Sequence, residues 1–106
     1  MKNQELLNSL TNCMNHCNWC ADACLEEDNV KDMVACIRVD KACAATCNSL
    51  AEILATNYKN VQGLVDYCLK ICKECGDECE KWPSDHCKKC AKACRELEAA
   101  LKKFQA

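Results

Sequence analysis

Apolar side chains and thiols recur along this chain at alternating steps of four and three, and they share one frame. Leu6 and Leu10 lead into Cys13, Cys17, Cys20 and Cys24, while Leu50, Ile53 and Leu54 follow Cys36, Cys43 and Cys47. Leu64 and Val65 lead into Cys68, Cys72, Cys75 and Cys79, while Leu97, Leu101 and Phe104 follow Cys87, Cys90 and Cys94. A helix turns once per 3.6 residues, so these steps keep every such position on one face. The pattern predicts an all-α chain of four amphipathic helices.

Turn and cap signals place the boundaries. Helix 1 is expected over 4–27, with Asp28 and Asn29 capping a second helix that continues to about residue 56. Asn60 is the expected N-cap of helix 3, which reaches about residue 81, and Pro83, Ser84 and Asp85 form a turn and cap for helix 4, ending near residue 104. Connections this short make each helix run antiparallel to the one before, giving an up-down-up-down four-helix bundle over a single domain, residues 1–106.

That topology sorts the core. In helices 1 and 3 the thiols occupy the C-terminal half, and in helices 2 and 4 the N-terminal half, so antiparallel packing brings all four sulfur stripes to one end. Leucine and its like fill the other end and supply the folding free energy, at about 25 cal/mol per Å² of apolar surface buried. The span from Cys13 to Cys24 predicts a thiol-lined tube of roughly 16 Å.

Composition narrows the chemistry. Fourteen of the 106 residues are Cys, beside two Gly and one Pro. The spacing Cys13, Cys17, Cys20, Cys24 returns as Cys68, Cys72, Cys75, Cys79; Asp40 replaces one thiol of the frame in helix 2 and Pro83 one in helix 4. Packing does not call for this, because Leu, Ile and Ala fill such places without risk of oxidation. Disulfide scaffolds are loop-rich and secreted, whereas residues 1–10 have no apolar signal region, and thiols four apart on a helix cannot be bridged without distortion. A cytoplasmic location with reduced thiols is expected. No stretch approaches the roughly 20 apolar residues of a membrane span. A formal charge of −2, with Lys scattered among Glu, provides no basic field for nucleic acid.

Buried thiolates need cations, since desolvation and mutual repulsion otherwise return their protons. Soft, monovalent Cu(I) fits best: it prefers thiolate, accepts two or three ligands and cancels the charge it creates, up to roughly one ion per Cys. The fourteen Cys are the expected ligands. Zinc or another thiophilic metal is the alternative, but zinc half-sites sit on tight turns, and Cys17-x2-Cys20, Cys72-x2-Cys75 and Cys87-x2-Cys90 lie inside helices. Iron–sulfur, haem and di-iron patterns are missing. A thiol-redox protein and a copper chaperone are readings from other classes; the first needs exposed low-pKa thiols, the second one shallow two-Cys site.

Five other residues stand near the stripes. His86, at the start of helix 4, is a candidate ligand at the mouth, and Met33 a candidate relay beside it. His16 is expected as a flanking, partly exposed side chain and Met14 as packing. Asp40, in a core place, is expected to pair with a basic residue such as Arg38 or a Lys of another helix, contact with a metal cluster being the alternative. Trp19, Trp82 and Tyr67 are candidates to cover the bundle or an oligomer contact.

Cys-Ile-Arg-Val-Asp at 36–40, Cys-Gly-Asp-Glu-Cys at 75–79 and Asp-His-Cys-Lys-Lys-Cys-Ala-Lys-Ala-Cys at 85–94 resemble the cytosolic copper storage proteins, four-helix bundles that hold many Cu(I) ions on core Cys. The resemblance implies reversible Cu(I) storage without catalytic turnover, a homotetramer, exchange with copper donor or acceptor proteins, and copper passing His86. Two departures, Trp-Pro-Ser-Asp before His86 where the family is His-rich and Arg-Glu-Leu-Glu after Cys94 where it often carries more Cys, imply a lower capacity and altered kinetics.

Overall fold

The computed structural model describes residues 1–104. Its helices are α1 (Gln4–Cys24), α2 (Val34–Leu54), α3 (Gln62–Cys79) and α4 (Asp85–Lys103), with a 3₁₀ segment, Val30–Met33, leading into α2. Each packs against two others: α1 against α2 and α4, and α3 against the same pair. Sulfur contacts show the directions. Cys13 meets Cys43 and Cys24 meets Cys36, while Cys13, Cys17 and Cys20 meet Cys94, Cys90 and Cys87. Cys36 likewise meets Cys79 and Cys43 meets Cys72. Rising numbers on one helix meet falling numbers on the next, so the bundle is antiparallel throughout, as expected.

Helix ends differ from the sequence expectation at three connections. α1 stops at Cys24, short of residue 27, because the following amides turn back to carbonyls three residues earlier: Leu25 to Asp22, Glu26 to Ala23 and Glu27 to Cys24. The tighter winding continues through Val30–Met33, so α2 opens at Val34 and Asn29 makes no side-chain cap. α3 opens after Val61 in place of Asn60, and closes at Cys79, with Trp82 donating to the Cys79 carbonyl just before Pro83. Ser84 does occupy the N-cap place of α4, in extended conformation, but makes no side-chain cap bond.

The core divides as its residue types predict. Leu6, Leu10, Leu50, Leu54, Val61, Val65, Leu97 and Leu101 are buried at one end, with Ile53, Leu64 and Phe104 packed partly buried against them. On the surface, Arg95 of α4 reaches over to Asp77 and Glu80 at the end of α3, each at 2.7 Å, and pairs with Glu98 of its own helix at 2.9 Å. Gly76 makes room for it: a Cβ there would come within 2.7 Å of the guanidinium. Among the described residues no helix is long and apolar enough to cross a membrane.

Candidate metal centre

All fourteen thiols are free, and none has any surface exposed to solvent. α1 and α3 deliver Cys13 to Cys24 and Cys68 to Cys79 along one edge each, and the opening turns of α2 and α4 deliver the remaining six. Neighbouring sulfurs lie 3.7 to 4.0 Å apart, both along a helix, as in Cys20–Cys24, and across the bundle, as in Cys17–Cys90. These are the distances of weak S–H···S contacts, and Cys13, for example, meets sulfurs of α1, α2 and α4.

The sulfurs form overlapping groups whose ligand atoms all lie within 4.8 Å of one another. Cys13, Cys17, Cys43 and Cys94 make one; Cys13, Cys43, Cys47 and Cys72 a second; Cys17, Cys75, Cys90 and Cys94 a third. Nearer the mouth come Cys20, Asp40, Cys79 and Cys90, then Cys20, Cys24, His86 and Cys87. Cys13, Cys17, Cys20, Cys43, Cys90 and Cys94 each belong to two groups, so adjacent groups share ligands along the tube. Cys36 touches Cys24 and Cys79, and Cys68 touches Cys72 at 4.0 Å. The structure thus brings together every Cys that the spacing singled out.

Without cations the buried thiols hold their protons unequally. Burial pushes the Cys87 thiol up to about 11 and raises Cys24. Elsewhere neighbours share protons unequally: contact with Cys17 holds Cys13 and Cys90 low, while Cys17 itself is raised by Cys13. A cation entering such a set displaces protons and removes the repulsion between the thiolates it creates.

Asp40 corrects an expectation. It is fully buried, yet it pairs with neither Arg38 nor a Lys. Two residues along the helix from Asp40, Arg38 lies on an exposed face. The carboxyl is surrounded by thiols instead: Oδ1 accepts from Cys75 at 3.1 Å, Cys90 at 3.4 Å and Cys79 at 3.5 Å, and Oδ2 from Cys36 at 3.7 Å. Burial, followed by the neighbouring Cys90 sulfur, pushes its pKa up to about 7.

His86 closes the thiol end, almost fully buried, with Nδ1 3.3 Å from Cys20 Sγ and 3.5 Å from Cys87 Sγ. Its Nε2 lies 2.7 Å from Glu27 Oε1, which also accepts the Ser84 hydroxyl at 3.1 Å; these bonds, that of His86 foremost, hold the Glu27 carboxyl below its ordinary range. Sequence reasoning missed Glu27. The signal lay in the topology, which sets the loop after α1 beside the loop before α4 and so places a Glu opposite a His. Met33 is buried within the core that the thiols and leucines form, and Met14 packs partly buried against that core. His16 stands half-buried on the flank, its Nδ1 without a hydrogen-bond partner, with Trp19 edge-on at 5.9 Å.

Residues 1–106 match the sequence family described as copper storage protein. The cysteine-rich protein YhjQ of Bacillus subtilis is 36% identical over 90 residues, covering 85% of this chain and 83% of that one. Among solved structures, the copper storage protein Ccsp from Streptomyces lividans, loaded with 10 copper equivalents, superposes with a TM-score of 0.89 at 38% identity over 93% of this chain and 80% of its own. Apo copper storage protein 3 from Bacillus subtilis gives 0.89 at 33% identity, over 97% and 98% of the two chains.

Proposed function

The chain belongs to the copper storage protein family, and from that premise we propose that it sequesters many Cu(I) ions on the thiolates of its core and exchanges them through the His86 end. The observation that carries this reading is the sharing of ligands between successive thiol groups. A shared sulfur is a bridging sulfur, and a chain of bridges accommodates ions in number rather than one at a time.

Charge decides between Cu(I) and zinc. Sulfurs about 3.8 Å apart suit a tetrahedral zinc with Zn–S bonds of about 2.3 Å, so distance alone does not choose. A zinc on four unshared thiolates leaves a net charge of about −2 per site in a buried, nearly counter-ion-free tube. One Cu(I) per thiolate is neutral. The fourteen Cys are the ligands we assign, with His86 Nδ1 completing the outermost group and Asp40 bordering the middle one. Capacity is roughly one ion per Cys, about a dozen.

The Streptomyces relative is described as cytosolic, and a reducing cytosol suits fourteen free thiols. Storage needs no catalytic turnover. Residues 1–106 act as one storage domain, and copper donor and acceptor proteins would meet the His86 end. For assembly we propose the homotetramer, to which exposed Trp19 and Tyr67 would contribute. X-ray absorption at the copper edge of the loaded protein tests the assignment: a sulfur-dominated shell with copper–copper scattering is expected. An oxygen- or nitrogen-dominated shell without it would contradict the bridged core.

A further inference from the structure

We propose that Glu27 is a positioning residue for His86, holding the ring proton on Nε2 so that a bare Nδ1 faces the thiols. The proposal rests on the reading above that His86 takes copper.

An ionised carboxylate has only lone pairs to offer, so the 2.7 Å contact requires Nε2 to carry the hydrogen. A neutral imidazole then has a single acceptor, Nδ1, and that atom is the one beside Cys20 and Cys87 at 3.3 and 3.5 Å. The other tautomer would point N–H at the sulfurs and present no lone pair to an incoming ion. Carboxylate partners of this kind fix both tautomer and ring orientation for metal-binding His.

Ser84 supplies a second, independent observation. It stands at the N-cap of α4, where a Ser hydroxyl ordinarily accepts an amide of its own helix. Here it makes no such bond and donates to Glu27 Oε1 at 3.1 Å. The cap is given up, and the carboxylate oxygen is fixed between the hydroxyl and the ring. Trp19, its ring edge-on to His86 with centroids 6.2 Å apart, limits the swing of the imidazole from the side.

A simple latch between the end of α1 and the start of α4 would also use these contacts, and the tautomer tells the two roles apart. In the reduced, copper-free full chain, 15N NMR should find His86 only as the Nε2–H form in wild type and in Glu27→Gln, whose amide oxygen accepts the same bond. Glu27→Ala should show both tautomers. Stopped-flow uptake of the first Cu(I) equivalent from a chelated donor should slow about tenfold in Glu27→Ala and stay within about threefold of wild type in Glu27→Gln. A single Nε2–H tautomer in Glu27→Ala, or a Gln variant as slow as the Ala variant, would overturn the proposal. A wild-type uptake rate in His86→Ala would instead overturn the copper role of His86 on which it stands, a failure that the tautomer spectra cannot produce.

Discussion

Relative to Asp40→Asn, the copper-free, reduced protein should lose stability as pH rises from about 4 to about 8, because Asp40 titrates within that window. The carboxyl is fully buried, and its pKa is raised from the ordinary 3.8 to about 7. Between those values the folded chain keeps a proton that the unfolded chain has released. A raised acid of this kind contributes its full stabilisation below the unfolded pKa and loses it as pH climbs through the folded one. Moving the carboxyl from 3.8 to about 7 corresponds, at about 1.36 kcal/mol per tenfold change in proton affinity, to an upper limit of about 4 kcal/mol. Glu27, Asp77 and Glu80 are held low, the first chiefly by His86 and the others chiefly by Arg95. Their contributions begin to be lost as pH falls through the ordinary carboxylate values of 3.8 to 4.5, at the foot of this window, and they are common to wild type and Asp40→Asn. Anaerobic denaturant unfolding of wild type and Asp40→Asn across the window isolates the effect, because the substitution deletes one titration and leaves the thiols in place. The wild type should fall by about 2–4 kcal/mol relative to Asp40→Asn. Parallel curves would refute the argument that burial among thiols, without a cationic partner, holds the proton on Asp40.

Other outcomes follow from the division of the core. Leu50→Ala, at a fully buried place in the apolar end, should cost about 2–5 kcal/mol of stability by denaturant unfolding and leave Cu(I) capacity unchanged; a drop in capacity would show that the two halves are not separate. Cys43→Ala and Cys13→Ala each remove a ligand shared by two groups, so each should reduce saturation by at least one ion in a competitive titration, with helicity by circular dichroism retained. Gly76→Ala should displace the guanidinium end of Arg95, a long side chain that is 35% exposed. Gaining about 1 kcal/mol of helix propensity while losing about as much from the surface ion pairs, it should shift unfolding stability by under about 1 kcal/mol.

The four-and-three frame carries most of this structure in plain sight. Because a helix has only one face at that spacing, Cys13, Cys17, Cys20 and Cys24 had to line up, and short loops had to bring the four stripes to one end. What the frame does not encode is which side chain stands opposite which. Asp40 looked like half of an ion pair because its charge was visible in sequence, while the thiols of Cys75, Cys79 and Cys90 become its partners only through the register between α2, α3 and α4. The 3₁₀ stretch at Val30–Met33 went unseen for a similar reason: no Gly or Pro marks it, and only the hydrogen bonds three residues back distinguish it from helix. In the sequence Glu27 reads as a helix terminus, and its role appears only with Ser84 and His86 across the mouth.

The central claim is that the thiol end is a container for many Cu(I) ions. An anaerobic titration of the fully reduced protein with Cu(I) against a competing chelator, with free thiols counted in parallel, tests it most directly. Saturation near one ion per thiol, about a dozen per chain, is the predicted result. Saturation at one or two ions with all fourteen thiols still reduced would contradict it.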